Sequence, residues 1–239
     1  MHIYNAVIEV TRRCNMECSH CLRGDAEDLD INLDYVETFL RGIDSIGTMT
    51  ITGGEPSLVP DIIDKIIDLT IKHNVTVGQF YLATNAKHIT MDFIAVLLRM
   101  YKEWCDYEED YAPMVNWSND GYHEGIDTAE LRLLKGLSFV GPKNQTDGQE
   151  YTLIGQGRAK DYYSDCRGLD KETFEIDENE ITEGNIYLNC KGNIIAGCDW
   201  SYEEQDDVDS ECFLCSVDDF TIDKVGEYVD NVLEEEFAA

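Results

Sequence analysis

Cys14, Cys18 and Cys21 fall within Cys14-Asn15-Met16-Glu17-Cys18-Ser19-His20-Cys21, at C-x3-C-x2-C spacing. Thiolates this close along a chain can grip three corners of a cubic iron–sulfur cluster. A structural zinc or an electron-carrier cluster calls for a fourth ligand nearby, and the next cysteine is Cys105. The spacing therefore predicts a [4Fe–4S] cluster in which one iron lacks a protein thiolate. An iron with an open position is a place for chemistry. The competing reading is a zinc knuckle that borrows His20, although zinc sites close with four ligands in recognisable pairs.

A second cysteine set lies near the other end. Cys190, Cys198, Cys212 and Cys215 include a C-x2-C pair, and Cys166 is a fifth member within reach. Four thiolates could hold an auxiliary [4Fe–4S] cluster. Zinc is a second reading of the Cys212-Phe213-Leu214-Cys215 spacing. Buried thiols without a metal are the third. Cys105 ends an amphipathic segment beside Trp104 and reads as core.

The elements that must carry these residues alternate. Residues 3–11 are an apolar, β-branched run and predict a strand ending just before Cys14. Leu33, Val36, Phe39, Leu40 and Ile43 recur at helical spacing. Met49–Thr52 predicts a short strand, and Pro60 opens a second helix with Ile62, Ile63, Ile66, Ile67 and Leu69 inward. Phe80–Ala83 predicts strand three. Phe93, Val96, Leu97 and Met100 mark helix three, Met114–Ser118 strand four, and Ala129–Leu134 part of helix four. Such alternation predicts βα units on a parallel sheet, arranged as a partial (β/α) barrel.

After Gly136 the rhythm changes. Gly141–Gly148 is turn-rich, and Tyr151–Ile154 is the expected fifth strand. Ile186–Cys190 and Asn193–Ala196 flank Lys191-Gly192 and read as a β-hairpin. Ile222, Val225, Val229, Val232 and Leu233 share one side of a final helix. The expected division is a barrel core over 1–180 and a small cysteine-containing extension over 181–239.

In parallel βα architectures the site lies at the carboxyl ends of the strands. Cys14 follows strand one, Gly53 strand two, Asn85 strand three and Ser118 strand four. These positions converge on one mouth.

Bulk properties narrow the function classes. A chain of 239 residues can bury a substantial core. No apolar run approaches the ~20 residues needed to span a bilayer, and the Met1-His2-Ile3-Tyr4 start has no signal-peptide pattern. Nine cysteines in such a chain point to metal ligation in a reducing, cytoplasmic setting rather than to disulfides. With 18 basic against 49 acidic residues, the net charge is −31. That charge disfavours nucleic acid as a partner and would attract cationic peptides or small amines. It equally serves solubility alone. The acidic runs Asp106–Asp110, Glu203–Glu211 and Glu234–Glu236 read as solvated loops or tail.

The motifs together resemble the radical S-adenosylmethionine (radical SAM) superfamily. The triple cysteine has that family's spacing. Thr50-Ile51-Thr52-Gly53-Gly54-Glu55-Pro56 is similar to its GGEP segment. Leu82-Ala83-Thr84-Asn85, Trp117-Ser118-Asn119-Asp120-Gly121-Tyr122-His123 and Gly157-Arg158-Ala159 follow in the family's order. The resemblance implies an open α/β barrel of about six βα units, a partial (β/α)6 TIM-like barrel. It also implies S-adenosylmethionine chelated at the fourth iron, and a 5′-deoxyadenosyl radical that abstracts a substrate hydrogen. Glu55, with Gly53 and Gly54, is then a contact for the methionine amino group. The residue-level alternative is a strand-to-helix turn whose acid faces a helix dipole. Asn85, Ser118 and Asp120 are implied contacts for the ribose or carboxylate, or else cap and turn residues. His20 holds a position where the family often has an aromatic residue that packs by the adenine, and histidine is a departure there. Arg158 is set against SAM's carboxylate or a surface salt bridge, Arg23 against the cluster's charge, and His123 against substrate or a loop role.

The cysteine region from Cys190 onward resembles a shortened SPASM or twitch extension, without the longer cysteine series of a full SPASM domain. On that tail and the acidic surface, the expected substrate is a peptide or protein side chain, with an external reductant such as flavodoxin or ferredoxin. A small molecule such as a nucleoside or nucleotide is the alternative substrate. A non-catalytic iron–sulfur or zinc protein is the alternative class.

Overall fold

The computed structural model describes residues 1–105, 114–118, 129–143 and 153–238. In chain order its elements are β1 (His2–Thr11), α1 (Leu33–Leu40), β2 (Ser45–Gly53), α2 (Pro60–Lys72), β3 (Thr76–Thr84) and α3 (Met91–Glu103). Then come β4 (Val115–Trp117), α4 (Ala129–Leu134), β5 (Val140–Pro142), α5 (Gly157–Tyr162), β6 (Glu175–Asp177) and β7 (Glu180–Leu188). The chain closes with β8 (Asn193–Ala196), α6 (Tyr202–Asp206), β9 (Phe213–Ser216) and α7 (Ile222–Ala238).

Local chemistry sets the helix starts. Asn32 accepts from the Asp34 N–H at 3.0 Å to cap α1, and Thr90 accepts from the Phe93 N–H at 3.1 Å to cap α3. Proline stands first in α2, where its missing N–H has no helical partner to lose.

All the strands join one sheet in the order β5-β4-β3-β2-β1-β7-β8-β9, with β6 paired to β7. Neighbours from β5 through β7 run parallel, while β8 and β9 return antiparallel. The sheet is open, with helices alternating between its parallel strands, which is a partial barrel of the expected α/β kind. The parallel registers hold the carboxyl ends level: Thr11 faces Gly53, Leu82 faces Val115, and Thr84 faces Trp117.

Alternation along β1 divides two packed layers. Ile3, Ala6, Ile8 and Val10 enter the main core with Phe39, Ile63, Ile67, Phe93 and Leu97. Val7 points the other way, into a small cluster with Tyr187, Ile195, Trp200 and Cys212.

Two expectations change. Strand five is Val140–Pro142, paired to β4 with Val115 opposite Val140, and it overlaps the start of the turn-rich segment. Tyr151 and Thr152 lie outside the described residues, and Ile154 makes only an isolated bridge to Arg167. The expected hairpin is β7 with β8, and β7 is also the sixth parallel strand, lying beside β1 with Val7 opposite Tyr187. The acidic stretch at 203 begins inside a helix, α6, with Gln205 buried and Asp206 turned to a buried arginine. The run Asp106–Asp110 lies outside the described residues. Trp104 is buried and donates its indole N–H to Thr70 Oγ1 at 3.0 Å, and Cys105 beside it is half-buried. No helix among the described residues is long and apolar enough to cross a membrane.

Candidate functional site

The loop between β1 and α1 carries Cys14, Cys18 and Cys21, all half-buried. Its base is closed by Asp30, which accepts from Thr11 Oγ1 at 2.6 Å and from Arg13 Nε and a terminal Arg13 nitrogen at 2.9 and 2.7 Å. Inside the loop, the Cys21 N–H donates to the Cys18 carbonyl at 3.2 Å. Burial pushes the Cys14 thiol above its ordinary pKa, and the nearby charges of Glu55 and Cys21 push the same way.

The end of β2 is fitted against this loop by glycine. The Gly54 N–H donates to the Thr11 carbonyl at 2.7 Å and the Glu55 N–H to the Arg13 carbonyl at 2.9 Å. A Cβ on Gly53 would collide with the Thr11 carbonyl, and one on Gly54 with the Arg13 carbonyl. The space that glycine leaves here is filled by the backbone of the cysteine loop.

Glu55 is 1 % exposed. One carboxylate oxygen accepts from the Ser57 N–H at 3.0 Å and from Thr84 Oγ1 at 2.6 Å. The other accepts from the Asn85 N–H at 2.7 Å. Glu55 thus caps the short 3-10 turn Pro56–Leu58 and ties the end of β2 to the end of β3. A carboxylate offers about four acceptor sites, so one is left on the second oxygen. Asn85, also buried, sends its Nδ2 to Asn15 Oδ1 at 2.7 Å, inside the cysteine loop.

Ser118 follows β4 and is half-buried, and its N–H donates to the Thr84 carbonyl at 2.9 Å. Asp120 and His123 lie outside the described residues. His20 is half-buried within the cysteine loop. Arg158 opens α5 with its N–H on the Cys21 carbonyl at 2.9 Å, while its side chain pairs with Asp25 at 2.7 Å. Gly157 has a φ of 52°, and a Cβ there would strike the Leu22 carbonyl. Only glycine lets α5 sit this close to the cysteine loop.

The tail also reaches the loop. Arg23 donates to the Trp200 and Cys198 carbonyls at 2.6 and 2.7 Å. Arg12 is fully buried. Its Nε meets Glu9 at 2.8 Å, and its two terminal nitrogens meet both Asp206 oxygens at 2.8 Å each. Glu9 in turn accepts from Tyr187 Oη at 2.8 Å and the Cys190 N–H at 3.0 Å. Sequence reasoning missed this network. The signal was present: Glu9 is a lone charge in an apolar strand, with Arg12 three residues on.

The second cysteine set is divided between two packing clusters. Cys190 and Cys215 are buried in the main core, whereas Cys212 and Cys198 belong to the small cluster around Tyr187. Cys166 reaches the Ala159 and Tyr163 carbonyls at 3.5 Å. Among the described residues, no three His, Cys, Asp or Glu side chains gather as ligands of a single metal ion. A cubane spreads its ligands over separate corners. Three half-buried thiols on one tethered loop are a donor set that would suit three protein-held corners.

No protein-family model matches the chain. An uncharacterized protein of Methanocaldococcus jannaschii is 31 % identical over 65 residues, a segment covering 26 % of this chain and 23 % of that one. The chain thus spans about a quarter of the curated relative it matches. A solved structure of polyhistidine-tagged anSMEcpe with bound AdoMet superposes at a TM-score of 0.56 with 13 % identity, over 96 % of this chain and 82 % of that one. Streptococcus suis SuiB bound to S-adenosylmethionine aligns over 80 % of this chain and 59 % of that one at 13 % identity; its TM-score of 0.37 is too low to carry an argument. The architecture of this chain is the fold of anSMEcpe.

Proposed function

We propose that the chain is a radical SAM enzyme acting on a peptide or protein side chain. Cys14, Cys18 and Cys21 would hold a [4Fe–4S] cluster, which with S-adenosylmethionine bound would supply reductive cleavage and radical abstraction of a substrate hydrogen. The protein's own part is position and exclusion of water. The observation that carries the reading is the cross-linking of strand ends into one mouth. Glu55 joins β2 to β3, and Asn85 joins β3 to the cysteine loop.

In this reading the free acceptor site of Glu55 takes the methionine ammonium. Gly53 and Gly54 serve by seating the loop and so fixing where that oxygen points. Asn85, already holding Asn15, and Ser118 would contact the nucleoside part of the ligand, and His20 would pack by the adenine; Asp120 is assigned the same role from the sequence alone. Arg158 would have to exchange Asp25 for the ligand carboxylate, which an exposed ion pair permits at little cost. The cysteines of the tail serve as packing thiols, so a second cluster is absent from this proposal.

Nine cysteines outside any disulfide suit a reducing compartment, and we place the enzyme in the cytoplasm, served by a flavodoxin- or ferredoxin-like donor. A peptide substrate is favoured by the net charge of −31, which draws basic peptides and repels a free polyanion such as a nucleotide. anSMEcpe, which shares the fold, has been solved with bound AdoMet. The test is anoxic reconstitution, chemical reduction and addition of S-adenosylmethionine. 5′-Deoxyadenosine should form with wild type and not with Cys21→Ala. A reconstituted, reduced protein that forms none would place it among non-catalytic metal proteins.

A further inference from the structure

The mechanism makes no use of the buried charges between β1 and the tail. Arg12 stands two residues before Cys14 and is 0 % exposed. Besides Glu9 and Asp206 it reaches both Glu27 oxygens at 3.2 and 3.3 Å, and it lies over the Tyr202 ring at 4.3 Å. Its backbone binds the returning arm of the same loop: the Arg12 N–H donates to Leu29 O at 2.8 Å, and the Glu27 N–H to Arg12 O at 3.1 Å. Across the loop, Arg23 binds two tail carbonyls, and the Tyr202 N–H donates back to Arg23 O at 2.9 Å. The segment that carries all three cysteines is therefore fastened to residues 198–206 on both sides. The fork of Arg12 matches the Asp206 carboxylate in two parallel bonds, the geometry that fixes orientation as well as distance. Burial works against the charge on Arg12 and is outweighed by Asp206 and Glu9.

We infer that Asp206, through Arg12, is a positioning residue for the cysteine loop, so that the tail acts as a brace for the site instead of a seat for a second cluster. The inference concerns the same site as the proposed function, but its mechanical part holds for the full-length chain without metal. Asp206 is a suitable probe because its side chain is 21 % exposed and its other partner, Lys191 at 2.6 Å, is exposed. Asp206→Asn keeps the shape and loses the paired, charge-assisted contact.

Amide hydrogen exchange on the metal-free full chain reads the brace. In Asp206→Asn the amides of residues 13–27 should exchange about tenfold faster, with β2 and β3 unchanged. Lys191→Met, which removes the other cation at Asp206, should leave that segment as in wild type. Arg12→Lys should reproduce the loosening, since a point charge cannot make the fork, and Asp206→Glu should restore part of the protection. In the reconstituted protein, Asp206→Asn should raise the KM for S-adenosylmethionine about tenfold while kcat falls less than about threefold, the split of a binding geometry that has loosened. Unchanged exchange over 13–27 in Asp206→Asn overturns the inference, as does an equal rise throughout the sheet. A brace seen by exchange without any 5′-deoxyadenosine would sink the proposed function and leave the brace standing.

Discussion

The two cysteine-bearing regions are built on opposite principles. Cys14, Cys18 and Cys21 sit half-buried on one loop at the carboxyl ends of parallel strands, where Asn85 from the end of a neighbouring strand binds Asn15 of that loop. Cys190, Cys212 and Cys215 are buried among apolar side chains, and the tail set is shared between two packing layers. In the first region the backbone is bent around the thiols and held there by Asp30, Gly54 and Arg158. In the second the thiols fill the backbone's gaps as small hydrophobes do. Cysteine spacing reports a potential ligand set, and what gathers or disperses it is the strand register beneath.

The sharpest way to break this contrast is iron analysis after anoxic reconstitution. Wild type should hold about four irons per chain, the content of one cubane. The Cys14/Cys18/Cys21 triple alanine variant should lose almost all of it, and Cys198→Ala with Cys212→Ala should lose almost none. About eight irons in wild type, halved by the tail variant, would restore a second cluster. A smaller effect is expected at the seam between β2 and the loop. Gly54→Ala forces a methyl into the Arg13 carbonyl and should cost about 3 kcal/mol, the upper end for overpacking. Iron content should fall with it, whereas Gly226→Ala, inside α7 with open space around it, should leave iron content unchanged and stabilise by up to about 1 kcal/mol.

The smallest effect concerns pH. Burial pushes the Cys198 and Cys212 thiols up to about 11 and Cys215 up to about 12. Each is raised above its unfolded value, so the native state keeps protons that the unfolded state releases. The stability tied to these groups is full below about pH 9 and is lost as pH rises through 11 to 12. Each thiol contributes at most about 1.4 kcal/mol per pH unit in that window. Urea midpoints of the metal-free protein should therefore drop between pH 8 and 10.5, and less steeply in Cys215→Val. Equal slopes would place Cys215 in contact with water.

Much of this molecule was legible in the sequence. Apolar periodicity exposed α1, α2 and α3, because each buries one stripe against the sheet. Four strand ends located the mouth, because βα order fixes which end faces the site. Strand β5 was misplaced because a three-residue strand of Val140, Gly141 and Pro142 has no alternation to read. The pairing of β1 with β7 was hidden because register between distant strands leaves no local signature. Asp206 was lost in an acidic run, since one carboxylate among many looks alike until its partner is known. Glu55 stood out beside its two glycines, yet its three protein donors became visible only once β2 and β3 lay side by side.

The parallel pairing of β1 with β7 has a consequence in time. His2 lies opposite Glu180, so during synthesis the strand that leads into the cysteine loop waits with one raw edge until a stretch far downstream has left the ribosome. Such distant pairings close slowly, and an uncovered edge invites other chains. On the proposed function, metal loading would follow translation, and cells starved of iron should accumulate a chain that is already assembled and waiting, rather than one still in pieces.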